Sequence, residues 1–221
     1  NNNGLSDSAL IGKLIFFDTT LSIPAGVSCA TCHSPMTGFA DPRGNSFSLG
    51  STGMFGRRNA NAISYMVFAP NKRGEVIRGI WETAGGFFWD GKAEFLNQQA
   101  LFPLVDPKEM NLPNHGVASE KIKHAPYFPM MVKLFGKNTL VDSQTIIFHA
   151  ISCIQAFEMT YQVNPFTSKF DFYLQGKVKL TEQEMHGMEL FNDTIKTKCS
   201  LCHLIFIFND TIKTKCSLCH L

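Results

Sequence analysis

The sequence predicts a mainly α-helical protein built from two tandem domains of similar design. Three observations support this class: apolar residues recur at helical spacing, long polar loops separate the predicted helices, and similar helices precede two copies of one cysteine motif. The chain has 221 residues, which suits one large domain or two small ones. A predicted turn at Asn164-Pro165 marks the boundary between residues 1–165 and 166–204.

The composition is that of an ordinary globular protein and argues against several classes of function. The chain has 20 basic and 18 acidic residues, so nothing in its charge suggests nucleic acid or an anionic membrane as a partner. No apolar run approaches the length needed to span a bilayer. Residues 1–10 lack the basic and apolar regions of an export signal, and we expect that any such signal has been removed.

The first predicted helix covers residues 6–17, where Ser6 is a good N-cap and apolar residues follow at helical spacing. Residues 34–62 are rich in glycine, serine and asparagine, and they are predicted to form a long loop. Loops of this length inside a compact domain are usually functional. A short helix over residues 96–102 is expected to stop at Pro103.

Helices are predicted through the rest of the chain as well. Residues 119–136 are predicted to form two short helices, broken at Pro126 and Pro129. The longest amphipathic helix, over residues 143–163, is expected to supply much of the core. A capping box at residues 181–184 starts a further helix.

Six of the seven cysteines belong to three copies of one motif, Cys-x-x-Cys-His. The copies are Cys29, Cys32 and His33; Cys199, Cys202 and His203; and Cys216, Cys219 and His220. The motif is the attachment signature of c-type haem, in which both thiols bond the haem vinyl groups and the histidine ligates the iron. A thioredoxin-like motif would need a βαβ setting, and a zinc site would not require a histidine at the same offset three times. The sequence therefore predicts covalent haem c and a periplasmic or otherwise exported location.

The helices before the first two motifs repeat one another. Residues 6–17 align with residues 181–192, and each segment has a glycine four positions before a phenylalanine, Gly12 in the first and Gly187 in the second. A glycine one helical turn from an aromatic residue makes a flat face that another element can approach closely. We therefore expect a helix to pack on this face near the haem in both domains.

The third motif lacks this support. Residues 205–221 are a near-exact duplicate of residues 188–204, and their final part is identical letter for letter. No capping box or glycine precedes the duplicated cysteines, so the helix that would support a haem was not copied. We therefore expect two haem groups, and a third haem within residues 205–221 is a formal alternative.

Several segments together resemble one family, the bacterial di-haem cytochrome c peroxidases and their MauG-like relatives. They include VSCATCHSPMTGFADPR, GRRNA, FFWDGKAEFLNQQALFPLVDPKEM and LTEQEMHGMELFND, followed by CSLCH, in the order of the family. The resemblance implies two cytochrome c-like haem domains: residues 1–165 with the peroxidatic haem, and residues 166–204 as the start of an electron-transfer domain. Family members continue well beyond the second motif, which implies that the second domain is incomplete here.

The resemblance also assigns roles to individual residues. It places the peroxide reaction at the haem of His33 and electron transfer at the haem of His203. Gln99, Pro103 and Glu109 match the distal pocket of the first haem. There the glutamate would move protons during cleavage of the O–O bond, the amide would hold the peroxide, and the proline would form a dry wall.

Two further matches concern the region between the domains. Trp89 matches a tryptophan between the two haems, where an indole relays electrons. Asn59 matches a ligand of an inter-domain calcium ion, so the resemblance also implies calcium. Without the resemblance, Trp89 would be read as an ordinary buried tryptophan and Glu109 as a solvated carboxylate near a helix end.

One departure from the family pattern bears on the first haem. Classical peroxidases of the family carry a histidine before GRRNA that ligates this haem in the resting enzyme. Ser51 stands at about that place, and no histidine lies between His33 and His115. The departure favours the MauG-like branch, whose peroxidatic haem is open without prior reduction. Met54, in the same loop, is an alternative distal ligand.

The resemblance therefore implies a periplasmic di-haem enzyme that reacts with hydrogen peroxide. In a peroxidase, a small cytochrome c or cupredoxin would supply the electrons, whereas a MauG-like enzyme would oxidise a side chain of a protein substrate. The alternative from another class is a non-enzymatic multihaem electron carrier. The sequence leaves the oligomeric state open, a homodimer included.

Overall fold

The computed structural model describes residues 4–77 and 80–202 of the chain. Most of these residues lie in helices or in long irregular segments, and the described strands form an antiparallel hairpin. The fold is mainly α, as the helical periodicity predicts. The predicted ligand His203 and the duplicated motif with Cys216, Cys219 and His220 lie outside the described residues.

The described helices are numbered here in chain order. They are α1 (Asp7–Phe16), α2 (Cys29–Cys32), α3 (Leu96–Gln99), α4 (Leu101–Val105), α5 (His115–Lys123), α6 (Phe128–Phe135), α7 (Ser143–Glu158), α8 (Lys169–Leu174), α9 (Glu182–Asn192) and α10 (Cys199–Cys202). The hairpin lies between α2 and α3 and pairs β1 (Arg73–Ile77) with β2 (Ile80–Ala84). None of the helices in residues 4–77 and 80–202 combines the length and the apolar composition of a membrane-spanning helix.

Helix α1 begins where the sequence predicts. Its N-cap is Ser6, whose side chain accepts a hydrogen bond from the backbone N–H of Ala9 at 3.2 Å. Ile11, Ile15 and Phe16 are almost fully buried, so one face of the helix belongs to the core. The predicted loop over residues 34–62 is also confirmed, since the segment is irregular apart from a short 3-10 turn and two isolated β-bridges, Ser34 with Ala40 and Leu49 with Phe55.

Helix α7 supplies much of the core, as predicted. It starts at a capping box formed by Asp142 and Thr145 and ends at Glu158, short of the predicted end at residue 163. Its buried residues are Ile146, Ile147, Ala150, Ile151, Cys153, Ile154, Phe157 and Glu158.

Helices α1 and α7 cross at Gly12. A Cβ atom at this position would lie 1.8 Å from the backbone carbonyl oxygen of Cys153, so no residue other than glycine allows the backbones to come so close. The expectation that a helix packs on the glycine face is confirmed here. At Gly187, the matching position in α9, a Cβ atom would meet no described atom within 4 Å.

The main core is formed by α1, α5, α6 and α7 together with the segments between them. Its buried residues run from Ile11 to Val163. A smaller cluster contains Phe87, Ala93 and Leu96, and Met66, Val67, Ala69 and Phe88 pack against it. Helix α9 has no buried residue among those described. The predicted boundary between two domains stays a prediction.

Two predicted helix stops are wrong because proline is tolerated in the first turn of a helix. Helix α4 runs from Leu101 through Pro103 to Val105, although the sequence predicts a stop at Pro103. Pro129 likewise lies in the first turn of α6, so the chain is broken only near Pro126. In a first turn the N–H that proline lacks has no partner within the helix anyway.

We expect Gly12→Ala to destabilise the chain by about 3 kcal/mol or more, because the new methyl group would overlap the Cys153 carbonyl and push the helices apart. Gly187→Ala is the matched control, since it adds the same group at the repeated position, where no described atom lies within 4 Å of it. It should be neutral or stabilising by up to about 1 kcal/mol. Urea denaturation of both variants measures the difference. Equal effects would contradict a close crossing specific to Gly12.

Candidate functional site

Most of the described residues that the sequence predicts to be functional line one cavity, with a volume of about 270 Å³. The predicted site residues that line it are Cys29, Cys32, His33, Asn59, Trp89, Gln99, Pro103 and Glu109. Apolar side chains from α1, α4 and α7 form much of the remaining wall. Neither Ser51 nor Met54 lines the cavity, and Met54 is exposed. The fold therefore brings the first cysteine motif together with the residues predicted to form its distal pocket.

Helix α2 presents the cysteines of the first motif to this cavity. Its first turn is held by a capping box in which the N–H of Ser28 donates to Thr31 Oγ1 at 3.0 Å. Burial is the largest cause of the raised pKa of both Cys29 and Cys32. Both side chains are therefore neutral thiols in the folded chain.

The imidazole of His33 is oriented by a neighbouring backbone carbonyl. Nδ1 lies 3.3 Å from the carbonyl oxygen of Phe39, which can only accept a hydrogen bond, so Nδ1 carries the proton. Burial lowers the pKa of His33, although the backbone carbonyls of Phe39 and Asn61 act in the opposite direction. The ring is therefore neutral, and Nε2 keeps a free electron pair of the kind that ligates a metal.

The three predicted distal residues come from successive pieces of chain. Gln99 ends α3, Pro103 lies within α4, and Glu109 follows in a turn where its N–H donates to the Asp106 carbonyl at 2.9 Å. The N–H of Met110 donates to the Pro103 carbonyl at 3.1 Å and ties this turn back to α4. As a result, three half-buried side chains from a short stretch of sequence face one cavity.

Glu109 is the acid of this distal set. Burial is the largest cause of its raised pKa, and the nearby Asp106 carboxylate raises it further. Lys92 and Arg57 lower it, and Arg57 forms an ion pair of 3.0 Å with Asp106. The pKa of Glu109 therefore lies closer to neutrality than that of an exposed glutamate, which suits proton transfer in either direction.

Trp89 lines the cavity but is 61% exposed, so it is not an ordinary buried tryptophan. Its indole N–H donates to the backbone carbonyl of Asn59 at 3.0 Å. The Asn59 side chain donates in turn to the Asn45 carbonyl at 3.2 Å.

No group of three or more His, Cys, Asp or Glu side chains among the described residues is arranged to hold a metal ion. Calcium at Asn59 stays a prediction.

The structure adds a buried acid that the sequence analysis does not single out. Glu158, the last residue of α7, lines the cavity and is only 6% exposed. Burial raises its pKa to about 8. Glu158 follows Ile151 and Ile154 on the apolar face of α7, and an acid at that helical spacing is the signal that could have revealed it.

Arg43 is a second addition, and it links the first motif to the loop beyond it. Its Nη2 donates to Cys32 Sγ at 3.3 Å and to the Asp41 carboxylate at 2.7 Å, while Nη1 donates to the Leu49 carbonyl at 2.9 Å. The hydrogen bonds from Arg43 to the Asp41 carboxylate hold the pKa of Asp41 well below its usual range. Arg43 ends the quoted segment VSCATCHSPMTGFADPR, but its partners Cys32 and Leu49 are identified only in the folded loop.

The residues present fit a c-type haem. Cys29, Cys32 and His33 would hold it, since both thiols and the neutral imidazole face the same cavity. The buried side-chain oxygen of Asn61, which also lines this cavity, has no hydrogen-bond partner among the described residues. A buried polar atom without a partner costs free energy, so it marks a position suited to the polar part of a ligand.

The second motif is described as far as Cys202. Helix α9 begins at the predicted capping box of Thr181 and Glu184, and α10 then carries Cys199. Because His203 lies outside the described residues, a haem at this motif stays a prediction.

Comparisons with known proteins agree with this geometry. A family model described as di-haem cytochrome c peroxidase matches residues 6–179. The chain is 35% identical to the methylamine utilization protein MauG of Paracoccus denitrificans, over 89% of this chain and 51% of that protein. It is 32% identical to the cytochrome c551 peroxidase of Nitrosomonas europaea, over 90% of this chain and 52% of that protein.

A solved structure shows the same likeness in three dimensions. The diheme peroxidase BthA from Burkholderia thailandensis superposes with a TM-score of 0.80 at 33% identity. The match covers 90% of this chain and 49% of that one. The chain thus spans about half the length of the relatives it matches.

We expect Glu158 to make the stability of the chain depend on pH. Its pKa is about 8 in the folded chain against an ordinary value of 4.5, so between these values the folded state holds a proton that the unfolded state has released. The free energy of unfolding should therefore fall as pH rises from 4.5 to about 8. One proton accounts for a slope of up to about 1.4 kcal/mol per pH unit.

Glu158→Gln should remove this contribution, whereas Glu182→Gln, at an exposed position, should leave it in place. Denaturant unfolding of both variants across this pH range measures the slopes. The same slope in Glu158→Gln as in the parent chain would contradict the protonation of a buried acid.

Proposed function

Because this chain belongs to the di-haem cytochrome c peroxidase family, we propose that it reacts with hydrogen peroxide at a haem held by Cys29, Cys32 and His33. The observation that carries the proposal is the single cavity in which these residues meet Gln99 and Glu109. Family membership supports an oxidoreductase with haem c, and the cavity supports peroxide chemistry at the first motif.

Haem bound at the first motif would supply the iron centre at which the O–O bond of peroxide is broken. Glu109 takes a proton from one peroxide oxygen and delivers it to the oxygen that leaves, as its raised pKa allows. The Gln99 amide holds the peroxide by hydrogen bonds, and Pro103 offers no N–H that would retain water. Reduction of one peroxide to two water molecules consumes two electrons and two protons.

In this proposal the electrons pass through Trp89. Its side chain lines the cavity and is also exposed at the surface, so it connects the two. Residues 1–165 form the peroxidatic domain, and residues 166–204 begin an electron-transfer domain whose haem is held by Cys199, Cys202 and His203. Either a small cytochrome c or cupredoxin, or the side chain of a protein substrate, supplies the electrons. A serine where classical members have a histidine ligand favours the protein substrate.

The proposal extends to two further features of the environment. A periplasmic location follows from covalent haem attachment, which takes place outside the cytoplasm. A calcium ion at Asn59 follows from the resemblance alone.

Glu109→Gln tests the proposed chemistry. The amide keeps the shape of the side chain but cannot accept the proton, so the rate of reaction with peroxide should fall by about 10²- to 10⁴-fold. In the parent chain the rate should fall as pH drops through the raised pKa of Glu109, because the protonated acid is not a base. That acid limb should be absent from the variant. Stopped-flow mixing with hydrogen peroxide, followed by haem absorbance, measures both effects.

Glu120→Gln is the control for this measurement. Glu120 is an exposed glutamate, paired with Lys123 at 2.6 Å, and it does not line the cavity. The control should react like the parent chain.

If the oxidised protein contains only low-spin haem and peroxide leaves its spectrum unchanged, the electron-carrier hypothesis replaces the enzyme.

We expect the purified chain to carry two covalently bound haem groups. Serine in place of both cysteines of the first motif, or of the second, should remove one haem each time. The same replacement at Cys216 and Cys219 should remove none, because no capping box or glycine precedes the duplicated cysteines in the sequence. Intact-mass spectrometry counts the groups, and a count of three would contradict this expectation.

A further inference from the structure

The long loop after the first motif contains a hairpin-like turn, Ser48–Gly56. This turn packs against the segment that contains Glu109. The turn is closed by backbone hydrogen bonds from Gly56 N–H to the Ser48 carbonyl at 2.8 Å and from Gly50 N–H to the Met54 carbonyl at 2.9 Å. It is therefore a defined element within an otherwise irregular loop.

Two hydrogen bonds fasten this turn directly to residues 107–109. The N–H of Ser51 donates to the carbonyl oxygen of Glu109 at 2.8 Å. The Thr52 hydroxyl donates to the carbonyl oxygen of Pro107 at 3.2 Å. Both hydrogen bonds restrain the backbone at or near Glu109, so they limit the orientations of the Glu109 side chain.

The turn is also held by the close packing of Gly50 and by a hydrogen bond from the Ser51 side chain. Gly50 lies so near the same segment that a Cβ atom would stand 2.1 Å from the Lys108 carbonyl oxygen. The Ser51 hydroxyl donates to the carbonyl oxygen of Ile23 at 2.9 Å, and the Asn111 amide donates to that same oxygen at 2.8 Å. Ser51 is therefore hydrogen-bonded to two separate parts of the chain, at Ile23 through its hydroxyl and at Glu109 through its N–H.

We propose that Ser51 is a positioning residue for Glu109, and that the Ser48–Gly56 turn keeps the Glu109 carboxyl directed into the cavity. The inference rests on the proposed function, because it takes Glu109 as the group that moves protons. Ser51 does not line the cavity, so it acts through the backbone of Glu109 and not on the peroxide itself.

The position of the Glu109 carboxyl decides how readily it holds a proton. The charged or titratable groups that act with it are Asp106, Arg57, Lys92 and Cys32. Burial is nevertheless the largest cause of its raised pKa. If the turn released its hold, the carboxyl would move towards water, and its pKa would fall towards the ordinary value.

Ser51→Ala in the haem-loaded chain removes the hydrogen bond to Ile23. We expect kcat/KM for peroxide to fall about tenfold, as for a small misplacement of a reacting group, and the acid limb of the pH profile to move to lower pH. Ser51→Thr keeps the hydroxyl and should restore both. Gly50→Ala, which forces the turn off the Lys108 carbonyl, should move the acid limb in the same direction.

A double variant separates this inference from the proposed function. Glu109→Gln combined with Ser51→Ala should react no more slowly than Glu109→Gln alone, because both changes act on one group. If Glu109→Gln leaves the peroxide reaction intact, the proposed function is wrong. If Glu109→Gln abolishes the reaction while Ser51→Ala changes neither rate nor pH profile, only the positioning role is wrong. A slower reaction with an unmoved acid limb would overturn that role as well.

Discussion

Helices α1 and α7 approach one another closely, and together they contribute a large part of the core. The two backbones meet at Gly12 and Cys153, where a side chain larger than hydrogen would not fit. Beyond the crossing, Phe16 of α1 and Glu158 of α7 both line the cavity. Cys29 and Ala30 of α2 pack against the core to which both helices belong, so this core also supports the first cysteine motif.

The same packing orients the imidazole of the first motif. The rings of Phe16, Phe39 and Phe157 form a cluster with centroid distances of 5.3 to 6.4 Å. Phe39 is therefore fixed by the core that joins α1 and α7, and its carbonyl is the acceptor that holds Nδ1 of His33. The orientation of an imidazole that we propose as an iron ligand is therefore a consequence of how the helices pack.

The sequence predicts those features that are determined locally. Helices α1 and α9 begin at the predicted N-caps Ser6 and Thr181, and the cysteine motifs follow from spacing alone. The β1–β2 hairpin is missed because apolar and polar residues do not alternate along either five-residue strand, although Val76, Ile77, Ile80 and Thr83 are β-branched. Contacts between distant residues leave no local pattern: Ser51 and Ile23 are 28 positions apart, and Glu158 reaches the cavity only through the tertiary crossing of α7.

The cavity contains two acids of raised pKa, and their surroundings separate their roles. Glu109 has Lys92 and Arg57 nearby to favour its charged form, whereas the pKa of Glu158 is raised by burial alone. An acid with cations beside it can exist in either state at modest cost, so it can exchange a proton repeatedly. An acid raised by burial alone stays neutral up to about pH 8, and as a neutral group it places no charge beside Cys29. The arrangement of charges therefore favours Glu109 over Glu158 for the proton transfer that we propose, although both line the same cavity.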